Sequence, residues 1–428
     1  MDKRVAIYGL TLIFFVLMMD LYQYKVGGFA DESVHIAYIA YLEQENTLIP
    51  NFYEMPMIGT IDENNQFTFS DTGTNYLGHP PLYYQLMRLS PGINSVDGEI
   101  FVNVNALRDT SQLIAICGLL FAFYIGYSRL SGNLIHLLYA TIVTSVPMMA
   151  YNSSGVTNDS LVFLFVNVTL LALIRLTENK QDMKTFALLA VGVCGSVLTK
   201  LTGGLVVAIA CILVFGYMLY QDRNLSIVLN KYFLITLPLY IGAFVYFANV
   251  FITYGTVQPT LSILNYDYML TTGFYVPEEN RISFNFLQYI RHFKTQFIKT
   301  WTGIASHIHM LKTESRLSGI ALKVIMVLPV IHLGKMFKKE NIVECSFYVA
   351  VGVAVLYQFY VAHSSFIDRG YLGNVQSRYY LCALPAIAFC ICKLKIFKQK
   401  PIVTWALISL LIYENYIYFL LNYENYLY

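Results

Sequence analysis

Two short stretches concentrate the side chains able to move a proton. The first reads Gly27-Gly28-Phe29-Ala30-Asp31-Glu32-Ser33-Val34-His35. Adjacent carboxylates with an imidazole one helical turn further on suit proton transfer from a hydroxyl. Val34, Ala37, Tyr38, Tyr41 and Leu42 share one face of the helix that should follow. Asp31 is therefore also well placed as an N-cap, accepting backbone N–H bonds. The two roles can coexist, because a cap fixes where the carboxylate points. The second stretch is Gly78-His79-Pro80-Pro81-Leu82-Tyr83-Tyr84. Its two prolines pre-set the backbone and can open a helix. His79 would then be held rigidly at a helix start, as a cap or as a functional group.

Three further residues stand at the edges of hydrophobic runs. Lys200 lies between two short apolar segments and precedes Leu201-Thr202-Gly203-Gly204. An ionisable group at that depth is costly and is a functional candidate by default, with snorkelling to the outer interface as the competing account. Arg378 precedes Tyr379-Tyr380-Leu381-Cys382-Ala383-Leu384-Pro385 and alone reads as an interfacial anchor. Asp159, within Ser153-Ser154-Gly155-Val156-Thr157-Asn158-Asp159-Ser160, reads as a cap of the span that follows. His307 and His309 form an H-x-H with no further ligands in view. Cys390 and Cys392 are a lone C-x-C among seven cysteines that lie in or beside hydrophobic segments, and read as packing residues.

The elements that must hold these groups are membrane spans. The 428 residues are 57% hydrophobic and 13% charged, with a mean hydropathy of +0.54. Soluble domains carry about 25% charged residues, so a soluble protein is excluded. The apolar residues fall into runs of roughly 18 to 22, the length that crosses about 30 Å of hydrocarbon. We read eleven spans: 5–21, 113–127, 134–149, 161–174, 186–199, 201–220, 232–252, 320–337, 342–362, 379–394 and 402–421. The first is too long for a signal peptide and lacks a clear A-x-A site. Many of the 35 tyrosines sit at run ends, where an amphipathic ring suits the headgroup level.

Charge distribution orients the spans, because short cytoplasmic loops collect Lys and Arg. Arg129; Arg175, Lys180 and Lys184; Arg223 and Lys231; Lys335, Lys338 and Lys339; and Lys393, Lys395, Lys398 and Lys400 fall on one side. That side also holds the N-terminus, after Lys3 and Arg4. The count works only if 186–220 is two helices meeting near Lys200. The chain is then a single integral membrane domain, 1–428, with two long segments on the exterior, 23–108 and 253–318. In the second, Phe286, Ile290, Phe293, Phe297 and Trp301 make a stripe, with Arg291, Lys294 and Lys299 off it. That pattern suits a helix lying in the membrane interface or one packed on the other spans. No soluble catalytic domain is present, so chemistry belongs to loops and helix ends at the outer face.

The combination resembles a known family. Asp31-Glu32 with His35 after the first span, and His79-Pro80-Pro81-Leu82 downstream, resemble the D-E-x-H and H-P-P-L pattern of protein O-mannosyltransferase-like membrane glycosyltransferases. Tyr83-Tyr84, Arg378-Tyr379-Tyr380-Leu381 with Leu384-Pro385, Asn158-Asp159-Ser160 and Leu198-Thr199-Lys200-Leu201-Thr202-Gly203 look like their bacterial relatives. The resemblance implies a GT-C fold: an all-α polytopic membrane protein with external juxtamembrane helices around a cavity. It implies transfer of a sugar from a polyprenyl phosphate carrier to an acceptor outside the cytoplasm. Asp31 matches the family's catalytic position, and Glu32, His35, His79, Tyr83, Asp159, Lys200 and Arg378 are the expected substrate contacts. The β-trefoil of protein mannosyltransferases has no room here, which favours a glycan or lipid acceptor. No metal is required if Lys200 and Arg378 neutralise the leaving phosphate, though Glu32 and His79 could bind a divalent cation. A lone base implies inversion at the anomeric carbon.

Other classes lack support. The net charge of +2 carries no basic stripe for nucleic acid. There is no Walker loop, G-x-G-x-x-G, H-E-x-x-H or G-x-S-x-G. The main rival is a transporter or flippase of lipid-linked sugars, with Lys200 and Asp159 lining a pathway. It predicts internal repeats, and none is clear. The Asn-, Ile- and Tyr-rich usage points to a bacterial plasma membrane.

Overall fold

The computed structural model describes residues 2–25, 28–222, 230–302 and 320–413. His307, His309 and the outer part of the last expected span lie outside them. The chain opens with α1 (Lys3–Lys25) and α2 (Glu32–Glu45), followed by β1 (Pro56–Ile61), β2 (Gln66–Thr74), α3 (Leu82–Met87), β3 (Ile93–Val96) and β4 (Glu99–Val102). Helices α4 (Val104–Arg129), α5 (Asn133–Thr144), α6 (Pro147–Ser154), α7 (Asp159–Thr177), α8 (Met183–Thr199), α9 (Leu201–Asp222) and α10 (Lys231–Tyr254) come next. After the short α11 (Leu261–Leu264) and α12 (Tyr266–Leu270) stand α13 (Phe286–Thr302), α14 (Ile320–Val327), α15 (Val330–Leu333) and α16 (Ile342–Arg369). A 3-10 turn, Ser377–Ala383, leads into α17 (Leu384–Cys392), α18 (Lys395–Gln399) and α19 (Pro401–Ile412).

The protein is an integral membrane protein. Among the described residues, α1, α4, α7, α9, α10 and α16 are each long and apolar enough to cross a membrane. The expected span 134–149 is broken: α5 and α6 meet at 56°, where Pro147 opens α6 and its missing N–H cannot extend α5. The stretch 320–337 likewise divides into α14 and α15, and 379–394 starts as 3-10 helix before α17. Among the described residues, six helices are long enough to span, the bent α5–α6 pair makes a seventh if it is taken as one span, and the other expected spans are shorter apolar helices. At the other disputed point the two-helix reading matches what is seen: α8 stops at Thr199, Lys200 is extended (φ −158°, ψ 125°), and α9 begins at Leu201.

Helices α7 and α8 approach closely, because a Cβ on Gly192 would overlap Thr169. Small residues at such contacts supply the van der Waals packing that replaces the hydrophobic effect within a bilayer.

The first external segment differs from the helical reading. Beside α2 and α3 it carries a four-stranded antiparallel sheet in the order β1-β2-β4-β3. Asp97 (φ 53°) and Gly98 (φ 84°) turn β3 into β4 as a two-residue hairpin, with Val96 opposite Glu99. An Asp-Gly pair is a strong hairpin signal because both turn positions need φ > 0. Asp62 makes the β1–β2 turn, accepting from the backbone N–H groups of Asn64 and Gln66. Tyr38, Phe52, Phe67, Ile100 and Val102 form a separate core between α2 and the sheet. The α13 stripe packs rather than floats: Phe293, Phe297 and Trp301 are buried, and only Phe286 and Ile290 at its start stay exposed.

Candidate active site

The site forms where the 28–31 loop, the α6–α7 turn, the α8–α9 break and the turn before α17 converge. Asp31 adopts the left-handed conformation (φ 58°, ψ 13°) and makes no side-chain cap bond to α2. The expected capping role is thereby replaced. Its backbone carbonyl takes the N–H of His35, and its carboxylate turns away from the helix. There, Tyr76 Oη donates to Oδ1 at 2.9 Å and Arg378 Nη2 donates to Oδ2 at 2.5 Å. A non-glycine residue at φ > 0 is held by its surroundings, and here these two donors hold it. Burial by itself would raise the Asp31 carboxyl; the charge and hydrogen bond of Arg378 outweigh it and hold the group well below the ordinary carboxylate range.

The other two carboxylates are fully engaged. Glu32, expected among the substrate contacts, is instead a clamp. Arg108 of α4 meets both its oxygens at 2.8 and 2.6 Å, and the Val156 N–H adds a third bond at 3.0 Å. It ties α2, α4 and the α6–α7 turn into one block under Asp31. Removing one partner of a buried pair typically costs about 3–5 kcal/mol. Arg108→Ala should accordingly lower the thermal unfolding midpoint in detergent by several degrees. An unchanged midpoint would show that the block does not need the pair. Asp159 starts α7 and faces Lys200 Nζ at 2.5 Å, with Asn152 Nδ2 at 2.9 Å on its other oxygen. Of the three side chains, Asp31 is the most open, 28% exposed against 7% for Glu32 and 11% for Asp159.

Two cations stand against one ring. Lys200 Nζ lies 4.7 Å from the centroid of Tyr379, and the Arg378 guanidinium 5.5 Å from it. Lys200 does not snorkel: it is buried and paired with Asp159. Arg378 is likewise buried rather than an interfacial anchor, and its Nε meets no partner among the described residues. Between them Met149, Asn152, Ser153, Asp159, Arg378 and Cys382 line a small cavity with room for about one water.

The histidines form a second layer. His35 Nδ1 is 2.9 Å from Tyr84 Oη, and its ring stacks on His79 at 6.3 Å. Burial pushes His35 down to about 3 and His79 well below its ordinary value, so both stay neutral. His79 Nδ1 meets Gln258 Nε2 at 3.1 Å, from the second external segment. The neighbouring Gly78 has no room for a Cβ, which would overlap the Pro259 carbonyl. Tyr83, also expected to touch substrate, is fully buried and donates to Ser111 Oγ. Neither it nor Glu32 is presented to a ligand. Glu32 is turned to Arg108 and His79 to Gln258. Among the described residues, no three His, Cys, Asp or Glu side chains gather in metal-holding geometry.

Sequence reasoning missed Tyr76, Arg108, Asn152 and Gln258, and quoted Tyr379 only within a motif. Of the four, Arg108 alone carried a signal, as a charge at the mouth of a long apolar run.

No protein-family model matches the chain, and no curated protein resembles it in sequence. Solved structures do. ArnT from Cupriavidus metallidurans, in its form bound to undecaprenyl phosphate, superimposes with a TM-score of 0.51 at 11% identity over 94% of this chain and 62% of its own. The arabinosyltransferase EmbB from Mycobacterium smegmatis gives a TM-score of 0.40 at 14% identity, over 99% of this chain and 42% of that one. The chain thus spans about three-fifths of the length of ArnT. The likeness to ArnT fixes the fold as the GT-C architecture implied by the motifs.

Proposed function

We propose that this chain is a membrane glycosyltransferase that moves a sugar from a polyprenyl phosphate to a hydroxyl of a cell-surface glycan or lipid outside the cytoplasm. The observation that carries this reading is the pairing of one partly open carboxylate, Asp31, with a buried guanidinium, Arg378, at the end of membrane helices. ArnT, whose fold this chain shares, was solved with undecaprenyl phosphate bound, which fits a polyprenyl donor.

In the proposed reaction Asp31 takes the proton of the acceptor hydroxyl, whose oxygen attacks the anomeric carbon. The bond from that carbon to the phosphate oxygen breaks, and its electron pair leaves with the prenyl phosphate. Arg378 and Lys200 stabilise the charge that grows there. Arg378 has a second effect. While it is paired with Asp31 the carboxylate is a weak base; a donor phosphate that shares the guanidinium would restore basicity near the operating pH. His35 and His79, neutral and buried, shape the pocket wall. Glu32 and Arg108 position the loop.

Lys200 separates the chemical role from the structural one. Lys200→Ala should lower donor turnover about 10²-fold and destabilise the protein, since Asp159 is left buried and unpaired. Adding Asp159→Asn should restore the unfolding midpoint without restoring turnover. Recovery of both would reduce Lys200 to a structural cation.

The overall test uses purified protein in liposomes with a panel of polyprenyl-phosphate sugars and candidate acceptors. The reading expects release of polyprenyl phosphate together with a glycosylated acceptor. Movement of the lipid-linked sugar across the bilayer without transfer would establish a flippase instead.

A further inference from the structure

At the far ends of the helices that carry the site lies a second, larger cleft. Helix α7 has Asp159 at its start, and Glu178 follows its last residue. Nineteen residues at 1.5 Å each separate the two ends by about 28 Å, close to the hydrocarbon thickness. The cleft is therefore on the opposite membrane face from Asp31, the face whose loops collect lysines and arginines. Its volume is about 740 Å³, within the usual range for small-molecule sites.

The lining is divided by chemistry. Ile174, Val343 and Phe389 make an apolar wall, and Thr177, four cations and three carboxylates make the rest. Two carboxylates are already satisfied. Glu178 receives Arg129 at 2.8 Å and Lys180 at 2.7 Å, and the buried Glu344 receives Lys393 at 2.5 Å. Lys393 is further pinned by the Glu340 carbonyl. Lys339 is held differently: its ammonium donates to the neutral Asn179 side chain at 2.7 Å. Neither it nor Lys338 pairs with a carboxylate among the described residues. With Glu178 and Glu344 set aside together with the cations that pair with them, Lys338 and Lys339 against Glu340 are left with one net positive charge (2 − 1 = +1).

We propose that this cleft binds the headgroup of a monoanionic phospholipid, its phosphodiester between Lys338 and Lys339 and its acyl chains along the apolar wall. One net positive charge answers one phosphodiester. A wall of Ile, Val and Phe beside the cations suits chains that a free phosphate lacks. The proposal is independent of the sugar-transfer reading, since it uses none of its residues.

Native mass spectrometry of the protein released from nanodiscs of mixed phosphatidylcholine and phosphatidylglycerol tests it. Wild type should retain one phosphatidylglycerol in preference to phosphatidylcholine. Lys338→Gln/Lys339→Gln should weaken that preference about tenfold or more, each surface lysine contributing on the order of a factor of five, while remaining monodisperse. Soluble glycerol phosphate at millimolar concentration should not displace the lipid. Equal retention of both lipids, full preference in the double variant, or displacement by glycerol phosphate would each overturn the proposal.

Discussion

Asp31→Asn is expected to reduce sugar transfer about 10³-fold while leaving donor affinity at least as tight as in the wild type. Asparagine keeps the shape and can still accept from Tyr76, so the left-handed loop is retained. It cannot take a proton, and loss of a positioned general base typically costs 10²–10⁴ in rate. It also removes the negative partner of Arg378, whose buried guanidinium then becomes wholly available to the donor phosphate. The expected signature is a split: kcat collapses while donor binding holds or improves. Single-turnover release of polyprenyl phosphate, with donor binding measured in parallel, reads both. Turnover within threefold of the wild type would remove Asp31 as the base. Parallel loss of binding would make it a structural residue.

Arg378→Ala is expected to fail in the complementary way. Removing one preorganised donor to developing charge costs about 10²–10³ in turnover, and donor affinity should fall with it. The variant should also show a shifted pH profile, and the sign follows from Asp31. Burial raises that carboxyl and Arg378 lowers it, the lowering being the larger. With the guanidinium gone only the raising effect of burial remains strong, so the group protonates at higher pH. The base form is lost as pH falls through that higher value, and the acid limb of kcat/KM for the variant should move upward relative to the wild type. A limb that stays in place would mean that Arg378 does not set the charge state of Asp31.

The fold was legible in the sequence to the extent that hydropathy governs it. Helices such as α1, α4, α7 and α16 follow from apolar length alone, and the Lys200 break followed from the requirement that basic loops share one side. Broken spans were harder, since Pro147 and the residues before α17 end helices without shortening the apolar run. The external sheet was missed although Asp97-Gly98 announces its hairpin. The apolar spacing around α2 had drawn the reading toward helices.

The site was legible as residue types rather than as roles. Asp31, Lys200, Arg378 and Asp159 do converge, but which carboxylate stays open depends on partners 41 to 347 residues away in sequence. Spacing cannot report such distances. Asp31 and Glu32 are adjacent in the sequence, yet their carboxylates part company in the fold. A left-handed backbone at the first and an arginine from α4 beside the second send their side chains to different surroundings.

A lone catalytic carboxylate has one consequence that needs no variant. A donor of known anomeric configuration, given to the purified wild-type protein, yields a product whose linkage can be read directly by NMR. Direct attack assisted by Asp31 predicts inverted configuration with no glycosylated protein in between. Retained configuration would contradict it, because a single attack from the face opposite the departing phosphate, assisted by one base, inverts the anomeric carbon.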